Sequence, residues 1–127
     1  MLSLHKAAKK GSLEKVRAFL TNGEKIDVKD KSEMTHLYYA AVGGHKDVCE
    51  YLISQGADIE AKDKNGRTPL FEACSSIRSK KQICELLLSK GADVNARDNQ
   101  GLTPLHQALK NKHKDVAALL KKHGGVE

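Results

Sequence analysis

The chain has 127 residues, of which 39% are hydrophobic and 10 are glycine; this suits one globular domain and excludes a wholly disordered chain. No apolar run approaches the roughly 18 residues of a membrane span, and lysines interrupt the N-terminal segment where a signal peptide needs an apolar core. Three cysteines without a Cys-x-x-Cys pair exclude a disulfide framework and the usual structural zinc sites. We therefore expect an intracellular monomer with reduced thiols and no membrane insertion.

The net charge of +6 is concentrated near the two ends of the chain. Residues 1–17 and residues 110–123 each carry a charge of +4, whereas residues 18–109 have 12 basic and 13 acidic side chains. A nucleic-acid binder concentrates basic and aromatic side chains on its reading surface, and this chain has no Trp, 2 Phe and 3 Tyr. Solubilising ends are the favoured interpretation, and a basic nucleic-acid-associated factor is the alternative.

A period close to 33 residues runs through the chain. Four leucines recur at spacings of 33, 33 and 35 residues: Leu4, Leu37, Leu70 and Leu105. Four glycines recur at spacings of 33, 35 and 33 residues: Gly23, Gly56, Gly91 and Gly124. One such unit cannot bury its own apolar faces, so neighbouring units must supply the rest of the core. The spacing predicts a stack of four units.

The third unit shows the predicted elements most clearly, in chain order. Asn65-Gly66 suits a tight turn that needs a positive φ. Thr68-Pro69 then predicts the start of a short helix, because Thr caps free N–H groups and Pro has no N–H to leave unpaired. The apolar run 83–88 predicts a longer second helix, and Gly91 ends it. The fourth unit repeats this order from Gln100-Gly101 onward.

This pattern resembles the ankyrin repeat over nearly the whole chain. The most specific matches are Thr68-Pro69-Leu70, Thr103-Pro104-Leu105-His106, Gly44-His45, Gly56-Ala57-Asp58 and the run 91–96. The resemblance implies an all-α repeat solenoid, an ankyrin-type stack of hairpin-helix-helix units. It implies one domain over residues 1–127, with approximate repeats 1–29, 30–62, 63–97 and 98–127. The first and last units are expected to be N- and C-terminal capping repeats.

Three features depart from the family pattern. Glu33 replaces the turn glycine and His36 replaces the proline of the second unit, which predicts a less regular hairpin there. The third unit has two extra residues within 75–80, between its two helices. Ser79 and Gln82 have the spacing of a capping box for the following helix, so the insertion is expected to lengthen a loop without breaking the stack.

Histidines fall at repeated positions, which favours structural roles over metal binding. His45 and His113 share one repeat position, and His5 and His106 share another. The resemblance also places Asn95 where ankyrin repeats can be hydroxylated by an oxygenase that acts on Asn. The favoured interpretation of Asn95 is a hydrogen-bonded hairpin residue.

The cysteines are expected to be small core groups. Cys49 and Cys84 share a second-helix position with Val16 and Ala117, so we expect buried, unreactive thiols, and Cys74 replaces an alanine of the first helix. No phosphate-binding loop or nucleophile motif is present in the sequence. We therefore expect no enzyme activity, no cofactor, no metal and no small-molecule substrate.

Partner-binding residues are expected where the repeat leaves positions free, and the resemblance implies that hairpin tips and first helices line a concave protein-binding surface. The hypothesis names Lys29, Met34, Tyr39, Lys62, Lys64, Arg67, Arg97 and Leu102. Met34, Arg67 and Leu102 would form one exposed row, and Tyr39 would be an aromatic anchor. The basic residues would form a rim that favours an acidic protein. The alternative is that basic tips only keep the hairpins soluble and that scattered apolar residues are ordinary surface.

Overall fold

A computed structural model of the protein describes residues 3–76 and 80–127. Over these residues it has eight α-helices and no strand, arranged as four consecutive pairs. The helices are α1 Leu4–Lys10, α2 Leu13–Thr21, α3 His36–Val42, α4 Lys46–Ser54, α5 Pro69–Ser75, α6 Lys81–Ser89, α7 Pro104–Lys110 and α8 Lys114–Lys122. The predicted all-α repeat, with a shorter first and a longer second helix, is confirmed.

Side-chain caps begin the first helix of each later pair. Thr35, Thr68 and Thr103 each accept a hydrogen bond from the backbone N–H three residues later, at 3.2 Å. Pro69 and Pro104 occupy the first turn of their helices. The Thr-Pro helix starts were therefore predicted correctly, since both residue types suit a helix end with unpaired N–H groups.

The first helices form one layer of the stack and the second helices form another. Helix α1 packs on α3, α3 on α5 and α5 on α7, while α2, α4, α6 and α8 follow one another in the same way. The recurring leucines are all buried between neighbouring pairs: Leu4, Leu37, Leu70 and Leu105. The core is therefore a series of nearest-neighbour interfaces, as the repeat predicts.

All three cysteines lie in this core. Cys49, Cys74 and Cys84 are fully buried and none forms a disulfide, which confirms the predicted burial. Burial raises the pKa of Cys49 to about 12, and the carboxylates of Asp47 and Glu50 add to the shift. Because the thiolate is the reactive form, Cys49 is a poor nucleophile.

Three hairpins project from the stack: hairpin A (residues 30–34), hairpin B (residues 63–67) and hairpin C (residues 98–102). Glu33 in hairpin A has a φ of 60°, close to the 75° of Gly66 in hairpin B. Its N–H donates to the carbonyl of Asp30 at 2.9 Å, and Gly66 makes the same bond to Asp63 at 3.0 Å. The expectation of a less regular hairpin A is therefore wrong. Glu33 instead takes a left-handed conformation that costs a non-glycine residue about 1 to 2 kcal/mol.

The two extra residues lie in the connection between α5 and α6. Helix α6 begins at Lys81, and its N-cap Lys80 makes no side-chain capping bond. The predicted capping residue Ser79 lies outside the described residues. Helix α6 has nine residues, as α4 and α8 do, so the insertion lengthens the connection and leaves the second helix intact.

Candidate partner-binding surface

One aspartate organises each hairpin. In Asp30, Asp63 and Asp98 the Oδ1 atom accepts the N–H groups of the residues two and four positions later, at 2.8 to 3.0 Å. The N–H of each aspartate donates to the carbonyl four positions later, at 3.0 to 3.1 Å. Because side chain and backbone close the same loop, the three tips have one conformation and one register.

The predicted row of Met34, Arg67 and Leu102 lies at equivalent points of the three hairpins. Each of these residues donates its N–H to the turn aspartate four positions earlier, at 2.9 to 3.0 Å. All three are half-buried, which corrects the expectation that the row is exposed. The backbone pairing of each hairpin turns these side chains partly against the stack.

The guanidinium of Arg67 is engaged inside the fold. Its Nε lies 3.6 Å from the carboxylate of the buried Asp98, and its Nη1 lies 3.8 Å from that of Glu72. Its Cζ lies 5.0 Å from the centroid of the Phe71 ring, within the range of a cation–π contact. Arg67 therefore links hairpin B to hairpin C and is not a free anchor.

The basic residues that precede the aspartates reach neighbouring backbone. Lys29 Nζ donates to the carbonyl of Lys62 at 2.7 Å, and Lys62 Nζ donates to that of Arg97 at 3.4 Å. Arg97 Nη1 donates to the carbonyl of Gly101 at 2.7 Å. All three residues remain exposed, and an ammonium or guanidinium group has several donors. These side chains stabilise the tips and keep donors for other contacts.

Direct contacts also join hairpins B and C. The N–H of Asn99 donates to the carbonyl of Asn65 at 2.9 Å, and Asn99 Nδ2 donates to that of Lys64 at 2.9 Å. Lys64 itself is exposed. Hairpins B and C are therefore cross-linked at their tips, with the Lys64 side chain on the outside.

Tyr39 lies in a polar cluster beside hairpin A. Its hydroxyl donates to the carboxylate of Asp30, and its ring meets the ring of His5 edge-on, with centroids 5.7 Å apart. The His5 ring in turn lies 4.0 Å from that of the buried His36. A surface depression of about 300 Å³ is lined by Ser3, His5, Lys6, Lys9, Asp30 and Tyr39. Tyr39 is half-buried and forms part of the wall of this basic depression.

The protonation states of this cluster follow from its contacts. Burial raises the pKa of Tyr39 to about 12, with a further contribution from Asp30. Burial opposes ionisation of Asp30, but hydrogen bonds from Tyr39 and from two backbone N–H groups outweigh it, so the pKa of Asp30 is lowered. Burial lowers the pKa of His36 to about 4, and the nearby His5 adds to the shift. At neutral pH the cluster holds a carboxylate, a phenol and a neutral His36.

Tyr38 makes a contact that the sequence analysis missed. Its hydroxyl donates to Asp63 Oδ2 at 2.6 Å, and both side chains are buried. Burial and this hydrogen bond raise the pKa of Tyr38, so it stays a neutral donor. Tyr38 has the same repeat position as Phe71, and only its phenolic oxygen hints at a polar contact. The spacing does not show that this oxygen reaches the next hairpin.

A family model described as ankyrin repeats, in three copies, matches residues 4–98 and also residues 65–127. The chain belongs to the ankyrin-repeat family. Osteoclast-stimulating factor 1 of Danio rerio is 48% identical over 50 residues, and that of Rattus norvegicus is 47% identical over 49 residues. Each match covers 39% of this chain and 23% of the relative's length, so the likeness concerns a short segment of both proteins.

Ankyrin repeats in general mediate protein–protein interactions and are not themselves enzymes. Over residues 3–76 and 80–127, no helix has the length and apolar character that crossing a membrane requires. In the same part of the chain, no three His, Cys, Asp or Glu side chains converge as metal ligands.

Two histidines have the structural role that the repeat predicts. His45 and His113 are the N-cap residues of α4 and α8. The Nε2 atom of His45 lies 2.8 Å from the carbonyl oxygen of Lys9, and that of His113 lies 2.7 Å from the carbonyl oxygen of Ser76. His45 donates to α1, and His113 donates to Ser76, the C-cap residue of α5, so the histidines join neighbouring units.

Asn95 uses its amide to hold the C-terminal segment of the ankyrin stack. Its Nδ2 donates to the carbonyl of Gly124 at 3.1 Å, and its Oδ1 accepts the N–H of Val126 at 2.9 Å. The favoured interpretation of Asn95 as a hydrogen-bonded residue is confirmed. Its hydroxylation stays a hypothesis.

Proposed function

We propose that this ankyrin-repeat chain is a protein-interaction module whose partner lies across the tips of hairpins A, B and C. The proposal depends on one observation: equivalent basic side chains, Lys29, Lys62 and Arg97, are exposed along three hairpins of identical conformation. Each tip is already fixed by its aspartate and by its neighbours. Binding therefore requires little further ordering of this surface, which favours affinity.

We propose an acidic protein segment as the partner. Four basic residues at the tips are exposed: Lys29, Lys62, Lys64 and Arg97. Lys29, Lys62 and Arg97 each use only one donor in the contacts described above. Carboxylates of a partner can bind the remaining donors, and the charge speeds the encounter. The half-buried Met34 and Leu102 provide apolar contact between these groups, and Tyr39 extends the surface along the basic depression.

We propose that the acidic partner, and not a second copy of this chain, covers the hairpin tips. The chain then acts as a monomer in an intracellular compartment. The basic nucleic-acid-associated factor of the sequence analysis gains no support from the ankyrin family or from these contacts.

The test compares two variants of equal charge in affinity capture from a lysate, followed by titration of the captured proteins. The first variant replaces Lys29, Lys62 and Lys64 with Gln, and the control replaces the exposed Lys114, Lys121 and Lys122 of α8 with Gln. We expect the hairpin variant alone to lose partners that the wild type captures, with at least about tenfold weaker binding, the equivalent of about 1.4 kcal/mol.

Thermal unfolding of both variants verifies that the stack is intact. Equal loss in the two variants would show that only net charge matters and would contradict the proposed surface. Titration of random-sequence duplex DNA at two salt concentrations completes the test, because binding that weakens steeply with salt would support the nucleic-acid alternative instead.

A further inference from the structure

Two buried sulfur atoms face each other inside the third ankyrin unit. Cys74 Sγ on α5 lies 3.2 Å from Cys84 Sγ on α6, and both residues are fully buried. Neither residue contributes to the hairpin surface. Hydrogen bonding to Cys84, together with burial, raises the pKa of the Cys74 thiol, so Cys74 is protonated at neutral pH.

The other units show that the fold does not require two sulfurs here. The position of Cys74 is Ala8 in the first unit and Ala41 in the second. The position of Cys84 is Val16 in the first unit, Cys49 in the second and Ala117 in the fourth. Only the third unit of the sequence has cysteine at both positions, and the same unit has the lengthened connection between its helices.

We propose that Cys74 and Cys84 form a dithiol modification site that small disulfides, such as glutathione disulfide, convert to an intramolecular disulfide. One thiol loses its proton and attacks the small disulfide, which forms a mixed disulfide and releases one small thiol. The second cysteine then attacks the mixed disulfide, forms the Cys74–Cys84 bond and releases the second small thiol. The protein loses two electrons and two protons, and the small disulfide is reduced to two thiols.

The contact between the sulfurs decides which product accumulates. Because the second thiol is already beside the first, its attack on the mixed disulfide is intramolecular. This attack is faster than attack by a thiol from solution. The mixed disulfide is therefore short-lived. Burial makes the first step depend on local opening of the α5–α6 pair, so the reaction is slow in the closed stack. The new bond links α5 to α6. It also closes a loop in the unfolded chain and so lowers the conformational entropy of the unfolded state.

The test uses the full chain with Cys49→Ala, which leaves only the proposed pair. Its controls carry a second change, Cys74→Ala or Cys84→Val, because alanine and valine occupy these positions in other units. Each protein is incubated with glutathione disulfide, with and without urea just below the unfolding transition, and its mass is measured. We expect the two-cysteine protein to lose the mass of two hydrogens and to stay monomeric, and dithiothreitol to reverse the change.

Both controls should lack this mass loss, and the oxidised two-cysteine protein should unfold at a higher urea concentration than its reduced form. Accumulation of glutathione adducts or of a disulfide-linked dimer would overturn the proposal. An unchanged mass even in urea would also overturn the proposal, because the two cysteines would then serve only to fill the core. A lower unfolding midpoint after oxidation would show that the bond distorts the core, and would also overturn it.

Discussion

The junction between hairpins A and B and the junction between hairpins B and C stabilise equivalent turn aspartates, Asp63 and Asp98, in different ways. At the first junction the phenol of Tyr38 donates to the buried Asp63 at 2.6 Å. At the second, Arg67 approaches the buried Asp98 as a cation at 3.6 Å. The backbone of the hairpins is the same in both places. The comparison shows that the repeat places an aspartate as acceptor at each turn. The residue that contacts this aspartate differs from one junction to the next.

The two junctions also differ in how closely the tips approach. Asn99 of hairpin C bonds to the backbone of hairpin B, and its N lies 2.9 Å from the point where a Cβ on Gly66 would stand. Close approach therefore needs glycine in hairpin B. Hairpin A has Glu33 at the equivalent position, where the positive φ is unfavourable for a residue other than glycine.

The largest expected effect concerns the core that both junctions share. Leu87 on α6 is fully buried, so Leu87→Ala should lower the free energy of unfolding by about 2 to 5 kcal/mol through lost burial and a residual cavity. The exposed Lys121→Ala is the control and should change it by less than about 0.5 kcal/mol. Urea denaturation measures both. Similar losses would mean that the periodic core has been misassigned.

The next effect is acid sensitivity beside hairpin A, where the buried His36 has a pKa of about 4. The unfolded chain binds this proton first, near the ordinary pKa of 6.5, so stability is intact above pH 6.5 and falls as the pH drops toward 4. The loss should reach up to about 3 kcal/mol and then level off.

His36→Pro restores the residue found at Pro69 and Pro104 and removes the imidazole. Thr35 before it has an extended backbone, with φ −86° and ψ 171°, which a following proline accepts. The free energy of unfolding of this variant should depend less on pH between 6.5 and 4 than that of the wild type. Parallel curves for the two proteins would exclude His36 as the source.

Tyr38→Phe breaks the first junction directly. It leaves the buried Asp63 without its phenolic donor, which should cost about 1 to 3 kcal/mol with little dependence on salt. The matched change at the second junction is Arg67→Met, which keeps much of the packing. It removes a cation that is partly exposed and lies 3.6 Å from Asp98, so we expect a cost of about 1 kcal/mol or less. Salt should weaken only the second contact. Equal costs and equal salt dependence would remove the distinction between the junctions.

The smallest effect is a gain at the tip of hairpin A. Glu33→Gly relieves the strain of the left-handed conformation but makes the unfolded chain more flexible. We expect the free energy of unfolding to rise by about 0.5 to 1 kcal/mol, as measured by thermal unfolding. Gly101→Ala is the inverse control, because φ is 79° and open space surrounds a Cβ there. It should lose a similar amount. A loss in Glu33→Gly would mean that the Glu33 side chain itself stabilises the hairpin.

Much of the fold could be predicted from short stretches of sequence. Thr68-Pro69 begins a helix, Gly66 forms a turn with positive φ, and Cys84 occupies a core position in the structure, as predicted. Less of the candidate surface could be predicted. Met34 and Leu102 share the predicted register but are half-buried, since the hairpin pairing turns them toward the stack.

The sequence by itself determined the repeat, its helix starts, its turns and its buried positions, because these depend on backbone preferences and apolar spacing within a few residues. Only the tertiary structure decided which side chains meet between units. Tyr38 reaches Asp63, and Lys29 reaches the carbonyl of Lys62. These contacts depend on how far one unit is rotated and shifted against the next, and on the reach of each side chain. A spacing of 33 residues contains neither quantity.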